Sequence, residues 1–183
     1  MTSLLRFQNV GLRRNGRLLF DGISFGLGPG ERLQVTGANG SGKSSLIRLA
    51  AGLLRPESGS VERSPLALAD DAVALDRELP LDRALRFWGG SVDDEMDALG
   101  LAYLARVPVR FLSSGQLRRA TLVRVTASGA PLWLLDEPLN ALDTDGAMLL
   151  GKRIDRHLAS GGAVLAATHQ PLPGGWPSLE LAA

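Results

Sequence analysis

The chain has 183 residues, 45% of them hydrophobic, enough for one compact domain with a packed core. A formal net charge of +1 gives no general case for nucleic-acid binding, and the absence of cysteine excludes disulfides and thiolate metal sites. No apolar run approaches the ~18 residues of a membrane span, and Met1 to Phe7 do not read as a signal peptide, so a soluble, cytoplasmic protein able to dock on a membrane protein is expected.

Leu5, Phe7 and Asn9 alternate with polar neighbours as a first strand. Ile23, Phe25 and Leu27 do so as a second, closed by Pro29-Gly30. Leu33 to Thr36 form a short strand that runs into Gly37-Ala38-Asn39-Gly40-Ser41-Gly42-Lys43-Ser44. Leu46, Ile47, Leu49, Ala50 and Leu53 follow at helical spacing, ending near Gly52 to Pro56. Ser58-Gly59 reads as a turn before a short strand at Ser60-Val61. Between residues 70 and 97 nine acids stand against three bases, which reads either as a solvated helical surface or as an acidic docking face for a basic partner loop. Ser113-Ser114 open a helix through Gln116, Leu117, Ala120, Leu122 and Val123. Leu132 to Leu135 is a continuous apolar run suited to a buried parallel strand. Ala147, Leu150, Ile154 and Leu158 mark a helix ended by Gly161-Gly162, with His157 a surface residue on it. Ala163 to Ala167 is a second buried strand, with Thr168-His169 at its carboxyl end. Strands alternating with helices imply an α/β fold with a largely parallel central sheet.

The chemistry lies where strands end. Gly37 to Ser44 fits G-x-x-x-x-G-K-[ST], in which glycines let backbone N–H groups curl around phosphate and the following helix adds its positive end. Lys43 is expected to reach the β- and γ-phosphates and Ser44 to ligate Mg²⁺, with Ser45 extending the binding run. The chain carries only two lysines against eighteen arginines, yet keeps one here, where a compact ammonium fits and a planar guanidinium does not. Asp136-Glu137 follow a buried strand, so Asp136 is expected to hold Mg²⁺ through water and Glu137 to act as general base on the attacking water. Leu112-Ser113-Ser114-Gly115-Gln116 opens a helix as a second phosphate cap. His169 can hydrogen-bond a γ-phosphate and orient the water. ATP and Mg²⁺ are the expected substrate and cofactor.

These residues, spread over nearly the whole chain, resemble the ATP-binding subunit of ATP-binding-cassette (ABC) transporters. The resemblance implies a P-loop NTPase fold over residues 1–183, with an N-terminal antiparallel β part and a small helical subdomain at about 70–128. It makes Gly37 to Ser44 the Walker A loop, Leu112 to Gln116 the signature motif, Leu132 to Glu137 Walker B, Asp143 in Ala141-Leu142-Asp143 the D-loop, and His169 the switch histidine. It implies a head-to-tail homodimer in which Ser114 and Gly115 act in trans, and a membrane-spanning partner. A narrower resemblance, through Asp143-Thr144-Asp145-Gly146 and Thr168-His169-Gln170-Pro171-Leu172, is to the haem-exporter ATPases of cytochrome c maturation. It implies a peripheral location on the cytoplasmic face of the bacterial inner membrane. With no cysteine and both histidines otherwise assigned, this chain is not expected to bind haem itself. Another ABC exporter or a soluble ABC ATPase of ribosomes or DNA is the alternative. The family usually has Gln after the strand near residue 70, where Asp70 and Asp71 stand here, and an adenine-stacking aromatic near residue 14, where Arg14 stands.

Overall fold

The computed structural model describes residues 3–72, 74–170 and 172–181, so the Pro171 position of the Thr-His-Gln-Pro-Leu run lies outside the described residues. In chain order the elements are β1 (Leu5–Arg14), β2 (Arg17–Leu27), β3 (Arg32–Thr36), α1 (Lys43–Ala50), β4 (Ser58–Arg63), β5 (Leu66–Ala69), α2 (Leu81–Arg86), α3 (Val92–Ala98), α4 (Ser114–Ala127), β6 (Leu132–Asp136), α5 (Thr144–Ala159), β7 (Ala163–Ala167) and β8 (Ser178–Glu180). They form an antiparallel sheet of order β2-β1-β4 and a parallel sheet of order β5-β6-β7-β3-β8.

Successive side chains of a strand point to opposite faces, and β6 and β7 use this to build two cores. Leu132, Leu134, Ala163, Leu165 and Ala167 face α1 and the antiparallel sheet, packing with Leu5, Phe7, Leu46 and Ile47. Trp133, Leu135, Val164 and Ala166 face the opposite side, packing with Leu85, Met96, Leu122 and Leu150 from α2 to α5. With both faces covered, every residue of β6 and β7 is buried. That is why these two strands read in the sequence as unbroken apolar runs.

Several expectations need correction. Alternation in β1 holds at Leu5 and Phe7 and fails at Asn9, which is exposed with φ 47°. A register shift puts Val10 into the core instead, the signature of a β-bulge. Opposite it, Gly59 (φ 76°) lies so close to the carbonyls of Gln8 and Asn9 that a Cβ would collide with them, and Ser58-Gly59 belongs to β4 rather than to a turn. Leu53 lies beyond the end of α1 and is exposed. The acidic stretch is not one helical surface: α2 and α3 are short, and Asp82 and Glu95 are buried against Arg106 and Arg153. His157 is not a surface residue, because its ring stacks flat on Trp133 at 3.8 Å. β8 has three residues, too few for periodicity to reveal.

Candidate functional site

β3 delivers the chain to the glycine loop at Gly37 to Ser44, and α1 carries it away. Gly37 (φ 139°) and Gly42 (φ 106°) hold backbone conformations that side chains resist, and a Cβ on Gly37 would sit 2.6 Å from the Leu181 carbonyl. Lys43, the first residue of α1, is buried, and its Nζ donates to the carbonyls of Gly37 (2.9 Å) and Ala38 (3.2 Å). The ammonium is thus held over the loop whose N–H groups it complements. Ser41 Oγ is buried there without a hydrogen-bond partner, a polar atom left to meet a ligand oxygen.

The Ser44 hydroxyl donates to Asp136 Oδ1 at 3.1 Å, across 92 residues of chain. Burial raises the Asp136 pKa above the usual carboxylate range; the Ser44 hydrogen bond opposes this, while the charges of Asp71 and Glu137 add to it. A hydroxyl and a carboxylate are the hard oxygen donors Mg²⁺ takes. Among the described residues no cluster of three His, Cys, Asp or Glu could cage a metal alone. The set therefore fits an ion that draws its other ligands from phosphate and water.

Strand register brings Glu137 and His169 together. In the parallel pair β6–β7, Asp136 sits opposite Ala167, so the residues just beyond both strands are neighbours. The Glu137 N–H donates to the Ala167 carbonyl at 2.8 Å, and Glu137 Oε2 lies 2.7 Å from His169 Nδ1. Glu137 occupies φ 48°, a left-handed conformation that a non-glycine residue keeps only where its surroundings impose it.

A cleft of about 770 Å³ is lined by Asn39, Gly40, Gly42, Lys43, Ser44, Ser45 and Glu137, joined by Arg14 and Arg17. The two arginines flank Asn15-Gly16, whose positive φ angles (50° and 77°) make the tight turn between β1 and β2. Arg17 escaped the sequence reading, and the Asn-Gly pair was the signal that could have found it.

Leu112 to Gln116 lie elsewhere. Ser113 caps α4: its Oγ accepts from the Gln116 N–H, and Gln116 Oε1 accepts from the Ser113 N–H at 2.8 Å, a complete capping box. That leaves Ser114 and Gly115 as the presented tip, with Leu112 half-buried behind it. Ser114 lines a separate cleft with Asp70, Asp71, Asn140 and Ala141, so the structure does not bring Leu112 to Gln116 to the glycine loop of the same chain. Gly115 packs on the Ala141 carbonyl, where a Cβ would approach to 2.8 Å. Asp143 caps α5, its Oδ1 accepting from the Gly146 N–H at 2.8 Å.

The profile of the ABC transporter family matches residues 20–140. The chain is 54% identical over 177 residues to the cytochrome c biogenesis ATP-binding export protein CcmA of Sphingopyxis alaskensis, covering 92% of this chain and 91% of that protein. It is 52% identical to the CcmA protein of Novosphingobium aromaticivorans, covering 90% and 87%. Among solved structures, an ATP-binding subunit of an ABC transporter superposes with a TM-score of 0.83 at 23% identity, covering 91% of this chain and 79% of that one. A nucleotide-free ATP-binding cassette gives 0.76 at 19% identity, covering 92% and 82%. The chain belongs to the ABC transporter family, and it has that family's ATPase fold. It is an ABC-type ATPase, and within the family it is similar to the CcmA proteins of cytochrome c biogenesis.

Proposed function

We propose that this chain is the ATP-hydrolysing subunit of an export complex serving cytochrome c biogenesis, with haem as the cargo. The observation that carries the chemistry is the Glu137–His169 pair at 2.7 Å beside the Lys43 loop. The likeness to the CcmA proteins supports the cargo.

In this reading Gly37 to Ser45 hold the triphosphate through backbone N–H groups, Lys43 neutralises its β- and γ-oxygens, and Arg14 stacks on the adenine. Ser44 and Asp136 would hold Mg²⁺, which would supply charge neutralisation on the phosphates. Glu137 takes a proton from water as the water oxygen bonds to the γ-phosphorus and the bond to ADP breaks, releasing ADP and phosphate. His169 fixes the carboxylate and contacts the γ-phosphate.

Two copies pair head to tail, each phosphate loop closed by Ser114 and Gly115 of the other copy and by its D-loop at Asp143. The Ser113–Gln116 cap holds that tip in shape. A membrane-spanning subunit converts closure and reopening into transport, at the cytoplasmic face of the bacterial inner membrane. Among the described residues no helix is long and apolar enough to cross a membrane. The haem passes through that partner and is not bound here.

Glu137→Gln is expected to keep ATP affinity while turnover falls by about 10²-fold or more, as for loss of a general base. Cells relying on that variant are expected to make no holo-cytochrome c. Unchanged turnover would remove Glu137 as the base. Normal holo-cytochrome c alongside lost turnover would remove the export assignment and leave the ATPase.

A further inference from the structure

Arg118 lies one turn into α4, four residues after Ser114, and is only 8% exposed. Its Nη1 donates to the Asp70 carbonyl at 3.0 Å, and its Nη2 donates to the carbonyls of Asp136 (2.5 Å) and Glu137 (2.7 Å). A guanidinium is planar and presents its donors in a fixed fork. One rigid group therefore sets the spacing of three segments: α4, the end of β6 and the residue that follows β5. Burial lowers the Arg118 pKa, and the surrounding Asp71, Asp136, Asp70 and Glu137 carboxylates oppose that shift.

The Glu137 contact bears on the chemistry. Both backbone groups of this residue are tied, its N–H to Ala167 and its carbonyl to Arg118, and between them the chain holds φ 48°. That backbone aims the carboxylate at His169. The helix that supplies Arg118 also presents Ser114 and Gly115 at its N-terminus, and residues four apart share a helix face. Ser114 and Arg118 accordingly line the same cleft beside Asp70 and Asp71.

We propose that Arg118 is a positioning residue for hydrolysis: it fastens the Glu137 backbone to α4, so that a displacement of α4 at the partner's nucleotide moves the carboxylate of its own site. The link joins the residues this chain gives to the opposite site with those it keeps. It rests on the reading of Glu137 as the base.

The test uses the full chain and compares Arg118→Met, which removes every donor and keeps an apolar stem, with Arg118→Lys, which keeps the charge without the fork. Turnover, KM, the Kd of a non-hydrolysable ATP analogue and melting temperature are measured for each. Arg118→Met is expected to lower kcat about tenfold or more while KM and Kd stay within about twofold, with Arg118→Lys recovering part of kcat, the pattern of lost transition-state positioning. Wild-type kcat in a folded Arg118→Met protein overturns the proposal. If Arg118→Met does not fold, Arg118→Lys decides: lowered kcat with unchanged Kd supports the role, and parallel loss of kcat, affinity and melting temperature overturns it. Glu137→Gln is run alongside. If it abolishes turnover while Arg118→Met does not, only the Arg118 role falls; if it leaves turnover intact, the hydrolysis reading itself falls.

Discussion

His157 and His169 stand at opposite ends of the parallel strands, and their surroundings divide their roles. His169 is half-exposed and bonded to Glu137. His157 is stacked on Trp133 beneath α5, and burial holds its pKa below the ordinary imidazole value, with the backbone at Ala163 and Pro131 pulling the other way. The unfolded chain therefore binds this proton more readily than the folded one. Stability from His157 is fully present above the unfolded value of about 6.5 and is lost as pH falls from there through the lower folded value. His157→Phe, which keeps the ring stack and cannot titrate, is expected to melt with a shallower dependence on pH below about 6.5. Equal slopes for the two proteins would show that another group dominates. The helical spacing of Leu150, Ile154 and Leu158 placed His157 on α5 but not on Trp133, which comes from a strand 24 residues earlier.

At the scale of elements, α4 shows how local chemistry fixes an end. Ser113 and Gln116 satisfy each other's backbone donors, so the helix begins at Ser114 and holds its tip in one shape. Ser113→Ala is expected to cost about 1 kcal/mol. For a chain of this size that is a fall in melting temperature of about 2–4 °C, measurable by calorimetry. The start of this helix at Ser113-Ser114 was legible, as were β6, β7 and the loop into α1. The bulge at Asn9 was not, because it answers to Gly59, fifty residues away, and β8 exists only because β3 offers it an edge.

At the scale of the molecule, Glu95 of α3 and Arg153 of α5 pair with 8% and 14% of their side chains exposed, joining segments 58 residues apart. Removing one partner strands a buried charge. Arg153→Met is expected to lower unfolding free energy by about 3–5 kcal/mol in urea titration, and the double change with Glu95→Leu to recover most of it. A single variant as stable as the wild type would mean that Glu95 reaches water. The acid was visible in the sequence as part of a charged run, and its partner was not.

The sequence by itself determined the order of the glycine loop, Leu112 to Gln116, Asp136-Glu137 and His169, because each lies in a short run with positive-φ glycines, a helix start or an apolar strand. It also determined that β6 and β7 are interior, since only strands covered on both faces carry unbroken apolar runs. The tertiary structure alone decided which of those pieces meet. It set the register that puts Glu137 against His169, swung the hairpin carrying Arg14 and Arg17 over the loop, and buried Arg118 against three carbonyls. Such contacts depend on which strand neighbours which, and on the bulges that set their twist, and no short window of the chain contains both partners.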